Sequence, residues 1–160
     1  MAVTIGSARI DERGKISGGK AGDQTKNEVS TQNWYKHSKG WRVLRPKNAE
    51  KAQKIAKAMR AACDNNNIGY DQYQRNSLYD LVKPYGFDPA KANKPTETDC
   101  SALVRVCCNY AGIEVGDFTT GNEASKLLAT GEFTELTSSK YTNQSDYLGA
   151  GDVLVTKRKG

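Results

Sequence analysis

Apolar residues between positions 48 and 63 recur at three- and four-residue spacing, at Ala52, Ile55, Ala56, Met59, Ala62 and Cys63, with Lys51, Lys54, Lys57 and Arg60 opposite. That period predicts an amphipathic helix with Asn48 as its N-cap. Asn65-Asn66-Asn67 ends it, since asparagine tolerates the left-handed C-terminal conformation. Its basic side reads as a solvated surface. A second pattern is apolar nearly all round: from Ala102 to Ala111 only Arg105 and Asn109 interrupt it. Such a helix is a buried one, capped by Thr98 or Asp99 and closed by Gly112.

Weaker signals fill the remainder. A shorter helix opens at Asp71 or Gln72, carries Leu78, Leu81 and Val82, and stops at Pro84 and Gly86. A brief one runs from Glu123 to Ala129 and ends at Gly131. Glu28 to Trp34, Trp41 to Leu44, Glu132 to Thr137 and Asp152 to Thr156 cluster β-formers as strands do. The glycine-rich first 27 residues, with apolar beats at Ile5, Ile10 and Ile16, predict a loose arm or a hairpin turning at Arg13-Gly14. Phe87 to Glu97 has two prolines and no period, so a loop is expected there, and Lys157 to Gly160 reads as a turn after a strand. The pattern predicts an α+β class in which the buried helix packs on an antiparallel sheet. One domain is expected overall, with residues 1–47 as an N-terminal arm with short strands and residues 48–160 as the core.

Composition narrows the function classes. The 160 residues are 37% hydrophobic and 26% charged, which argues against wholesale disorder. No run approaches the ~20 apolar residues of a membrane span. The start lacks the basic and apolar regions of a signal peptide, so synthesis in the cytoplasm without a leader is expected. A net charge of +6 favours polyanions, but the basic residues are dispersed among eighteen carboxylates. That pattern excludes a dedicated nucleic-acid stripe and suits anionic wall polymers. Ser17 to Gly22 is glycine-rich but lacks the spacing of a phosphate loop. Four irregularly spaced cysteines with no Cys-x-x-Cys pair and no His cluster predict reduced thiols, with no metal and no cofactor.

Candidate chemistry centres on Cys100. In the first turn of the buried helix, unpaired N–H groups and the helix dipole favour a thiolate, although Asp99 beside it works against a low pKa. The backbone N–H of Cys100 is a candidate oxyanion donor. Cys63, Cys107 and Cys108 lie within apolar patterns and read as core residues. The only histidine, His37, sits in a polar connection and reads as a solvated loop residue.

Asp99-Cys100-Ser101-Ala102-Leu103-Val104 resembles the signature of the NlpC-type, papain-like cysteine peptidases and amidases of peptidoglycan, a group close to the CHAP domains. Gly69-Tyr70-Asp71-Gln72, Tyr110-Ala111-Gly112-Ile113 and Gly151-Asp152-Val153-Leu154-Val155 are similar to further blocks of these hydrolases in phage lysins. The likeness runs from about residue 4 to residue 160 and includes Ile16 to Gln24. It implies a papain-like fold and a monomeric hydrolase acting at the bacterial wall. The bond cut would be an amide in the stem peptide or at the muramoyl–alanine link. Cys100 becomes the nucleophile. Tyr70 is the best match to a site-lining tyrosine, with Tyr79 and Tyr85 as competitors, and Asp71, Asp99 and Ser101 flank the substrate or oxyanion site. The family's histidine base follows the Gly-Asp-Val-Leu-Val strand, where this sequence stops at Gly160. The resemblance therefore implies a chain cut before its base. The alternative is an inactive wall- or partner-binding module of the same fold.

Overall fold

The computed structural model describes residues 3–9, 14–15 and 20–157. The apolar beats at Ile10 and Ile16, the turn at Arg13, the glycines at 18 and 19, and the end of the 157–160 turn lie outside the described residues.

The class is α+β, with three small sheets around a helical core. Strands β1 (Thr4–Ala8) and β2 (Val29–Asn33) pair antiparallel. β3 (Trp41–Pro46) is the middle strand of an antiparallel sheet, flanked by β6 (Phe133–Leu136) and β7 (Val153–Thr156). In that sheet Val43 stands opposite Leu136 on one side and Leu154 on the other. α1 (Ala49–Asp64) packs against α3 (Cys100–Tyr110), and α4 (Glu123–Ala129) lies on β6 and β3. Leu44, Ile68, Leu78, Leu103, Ile113 and Leu127 are fully buried in the shared core.

Local signals explain the long helices. Asn48 caps α1 by accepting the Lys51 N–H at 2.9 Å. Asp99 caps α3, and Gly112 leaves it with φ of +88°. Arg105 interrupts the apolar run because its guanidinium stacks 3.7 Å over the Tyr79 ring and donates to the Val115 carbonyl.

Several expectations are corrected. α1 does not end in a left-handed asparagine: Asn65 is extended, with φ of −105°. Its carboxamide instead donates to the carbonyls of Pro89 and Ala92, binding the helix end to the 3₁₀ turn Pro89–Lys91. The next helix, α2 (Ser77–Val82), starts later than Asp71 because the Asp71 carboxylate closes a turn, accepting from the N–H groups of Tyr73 and Gln74. Thr96–Thr98, expected as the end of a loop and a candidate helix cap, is strand β5, paired in parallel with β4 (Ile68–Tyr70). The sheets are thus not all antiparallel. A four-residue helix, α5 (Ser139–Thr142), was not anticipated.

The β4–β5 pair carries the chain directly into Asp99 and Cys100. It is fastened to residues 22–28 by buried carboxylates: Glu97 accepts the Gly22 N–H at 2.8 Å, and Glu28 accepts the N–H groups of Gln24 and Tyr70. These acceptors satisfy backbone donors that the short pair leaves open. Gly69 permits the close approach. A Cβ there would strike the Gly22 carbonyl and come within 2.9 Å of the Glu28 carboxylate. Gly69→Ala should therefore cost about 2–3 kcal/mol through overpacking. Gly112→Ala, with open space around it, should cost only about 1–2 kcal/mol of left-handed strain. Thermal melts of the two variants should rank in that order, and equal melts would contradict the packing at Gly69.

Candidate active site

The entrance of α3 is held by one arginine. Asp99 accepts the Ala102 N–H through Oδ1 at 2.9 Å and the Arg75 Nε–H through Oδ2 at 2.7 Å. Arg75 also donates to Asp117 at 2.6 Å, to the Ser101 hydroxyl at 2.7 Å and to the Phe118 carbonyl at 2.6 Å. The guanidinium thus ties the helix N-terminus to the loop that follows α3. Burial works to raise the Asp117 carboxyl, but hydrogen bonds from Arg75 and Asn76 hold it below its ordinary value.

Cys100 occupies the first position of α3, half-buried, and opens onto a cleft of about 910 Å³. The cleft runs past β1, β2, α1 and β7 and is also lined by His37, Trp41, Met59, Glu123 and Asp152. Burial pushes the Cys100 thiol up to about 11, and the charges of Asp99 and Glu123 push the same way. The N–H groups of Ser101 and of Cys100 itself lie against the sulfur and pull it down, so the helix entrance acts as expected but is outweighed. The thiolate expected from position alone is therefore not the resting form.

Glu123, the first residue of α4, is 4% exposed and makes no hydrogen bond or ion pair among the described residues. Burial, and then the Asp99 charge, raise its carboxyl to about 8. Asp152, the other carboxylate of the cleft wall, is gripped by Arg45 at 2.9 and 2.8 Å. His37 is half-buried, contacts Trp41 edge-on at 5.1 Å, and accepts the Lys39 N–H through Nδ1. A second cavity of about 470 Å³, beside Phe87, Asn109 and Ile113, has no cysteine or histidine in its lining. Among the described residues no group of three or more His, Cys, Asp or Glu side chains is placed to hold a metal ion.

This cleft, with a half-buried cysteine at a helix entrance, belongs to a chain whose residues 5–160 match the family model for endolysin-like domains. The chain belongs to the endolysin-like domain family. No curated protein and no solved structure matches it. No helix among the described residues of this endolysin-like domain is long and apolar enough to cross a membrane.

In the endolysin-like domain the residues expected around Cys100 have separate places. Asp99 and Ser101 are buried in the Arg75 knot, and Asp71 closes the turn after β4. Tyr70 is buried opposite Thr98 in the β4–β5 pair. None of the four lines the cleft. His37, read as a solvated loop residue, does line it. The pattern gave no hint of Arg75 or Glu123, since an arginine in a polar stretch and a glutamate in a first helical turn are ordinary surface choices. Only their tertiary surroundings set them apart.

The raised carboxyl fixes a sign. A group whose folded pKa lies above its unfolded value contributes stability that is complete below the unfolded pKa and lost as pH rises through the folded one. For Glu123 the window runs from 4.5 to about 8. Unfolding free energy should fall between pH 5 and pH 8 by on the order of a few kcal/mol, read as a lower melting temperature at pH 8. Glu123→Gln should flatten that slope, and an unchanged slope would contradict the buried, unpaired carboxyl.

Proposed function

We propose that this endolysin-like domain is a peptidoglycan hydrolase that cleaves an amide, in the stem peptide or at the muramoyl–alanine link, with Cys100 as nucleophile. The observation that carries the reading is that Cys100, alone among the cysteines, joins a helix N-terminus to an open cleft of about 910 Å³. Cys107 and Cys108 are fully buried, and Cys63 lies outside the cleft lining. The domain is read as a monomer with a papain-like arrangement, as its resemblance to the NlpC-type hydrolases implies.

Attack of Sγ on the scissile carbonyl gives a tetrahedral intermediate, then a thioester as the amine leaves, and water frees the acid. The N–H groups of Cys100 and Ser101 are not consumed by the Asp99 cap, which takes Ala102, so they suit a developing oxyanion. Asp99 and Arg75 serve as positioning residues that fix the helix entrance. Arg9 and Arg60 on the cleft wall give a positive field for acidic wall material.

A second reading, an inactive wall-binding module, draws on the thiol raised to about 11. Turbidity clearance of purified Gram-positive walls separates the two. The hydrolase reading expects clearance that falls at least ~10³-fold in Cys100→Ala while the variant still pellets with walls. Equal pelleting of both proteins with no clearance by either would favour the binding module.

A further inference from the structure

We propose that Glu123 is a catalytic residue of this cleft, its carboxyl exchanging the proton of the Cys100 thiol. The inference rests on the hydrolase reading and adds to it the group that moves the proton.

Glu123 and Cys100 begin two different helices, α4 and α3, and line the same cleft. Each carries weight in the other's surroundings, since the Glu123 charge is among the causes that raise the thiol. A charged carboxylate on a residue that is 4% exposed is costly to keep in a fold. The cleft wall carries Arg9 and Arg60, but no cation is among the causes that set the Glu123 carboxyl, and Arg75 at the helix entrance is held by Asp99 and Asp117. The groups facing it from α3 are Asp99, Cys100 and Cys108, all acids or thiols. This environment raises the carboxyl to about 8, close to the operating pH at which one group can both take and return a proton.

The cycle balances. As Sγ bonds to the carbonyl carbon, its proton passes to the Glu123 carboxylate. The C–N bond breaks as that proton moves to the nitrogen, leaving a thioester and a free amine. Water then adds to the thioester and gives a proton to Glu123. The C–S bond breaks, the acid leaves, and Glu123 returns the proton to sulfur. The net reaction is amide plus water to acid plus amine.

Glu123→Gln tests this in two assays on the full chain. Wall clearance should fall by roughly 10²–10⁴-fold. Iodoacetamide labelling of Cys100 at pH 8, mapped by mass, should instead quicken by about tenfold, the effect of one pKa unit when a neighbouring negative charge is removed. Clearance by the unsubstituted chain should rise with pH through about 8. Opposite movement of the two readouts is not produced by misfolding. Unchanged labelling, clearance retained within about tenfold, or loss of both activities with a lowered melt each overturns the proposal. So does clearance that depends on His37 and survives Glu123→Gln. An unsubstituted chain inert on walls refutes the hydrolase reading, and the labelling change then decides the proton pair by itself.

Discussion

The Asp99 carboxylate is the constraint on which the rest of the site depends. One oxygen ends the backbone of α3 by taking the Ala102 N–H, and the other takes the Arg75 guanidinium. A capping bond is worth about 1 kcal/mol. A largely buried ion pair with three further contacts on its arginine, to Asp117, the Ser101 hydroxyl and the Phe118 carbonyl, adds to that, because removing Arg75 leaves the buried Asp99 carboxylate without its counter-charge. The result is a helix entrance that points Cys100 into the cleft with little freedom. Burial is the larger cause of the raised Cys100 thiol and Glu123 carboxyl, and the Asp99 charge adds to both, so the group that builds the site also reinforces its raised pKa values.

Electrostatics at Cys100 itself run against the chain as a whole. The protein carries a net charge of +6, yet the charges that act on the Cys100 thiol are those of Asp99 and Glu123, with Arg75 already paired to Asp99 and Asp117. A thiol in that setting rests protonated, so the proposed nucleophilic role requires a partner that takes its proton. His37 and Glu123 are both on the cleft lining. Glu123 is 4% exposed with its carboxyl raised to about 8, whereas His37 is held against Trp41 and Lys39.

Much of the fold was legible because it is local. Asn48 with its apolar period specified α1, Asp99 through Gly112 specified α3, and Glu123 to Ala129 matched α4 residue for residue. The strands at 41–46, 133–136 and 153–156 followed from β-branched and aromatic clusters. The parallel β4–β5 pair was not legible: Thr96-Glu97-Thr98 has no apolar face, and its partner is 28 residues away at Ile68↔Thr96. What stabilises it, the buried Glu28 and Glu97 carboxylates, is invisible without the third dimension. The position of Cys100 could be read from its helix, but its acidity could not, since burial outweighs the dipole there. Glu123 and His37 became site residues only through packing.

The central claim, a covalent reaction at Cys100, is tested most directly by acid-quenching the protein during incubation with soluble peptidoglycan fragments and mapping adducts by mass. A thioester-linked fragment on the peptide containing Cys100, absent in Cys100→Ala and released by hydroxylamine, is the predicted result. Fragment cleavage that continues in Cys100→Ala, with no adduct at that cysteine, would contradict the account.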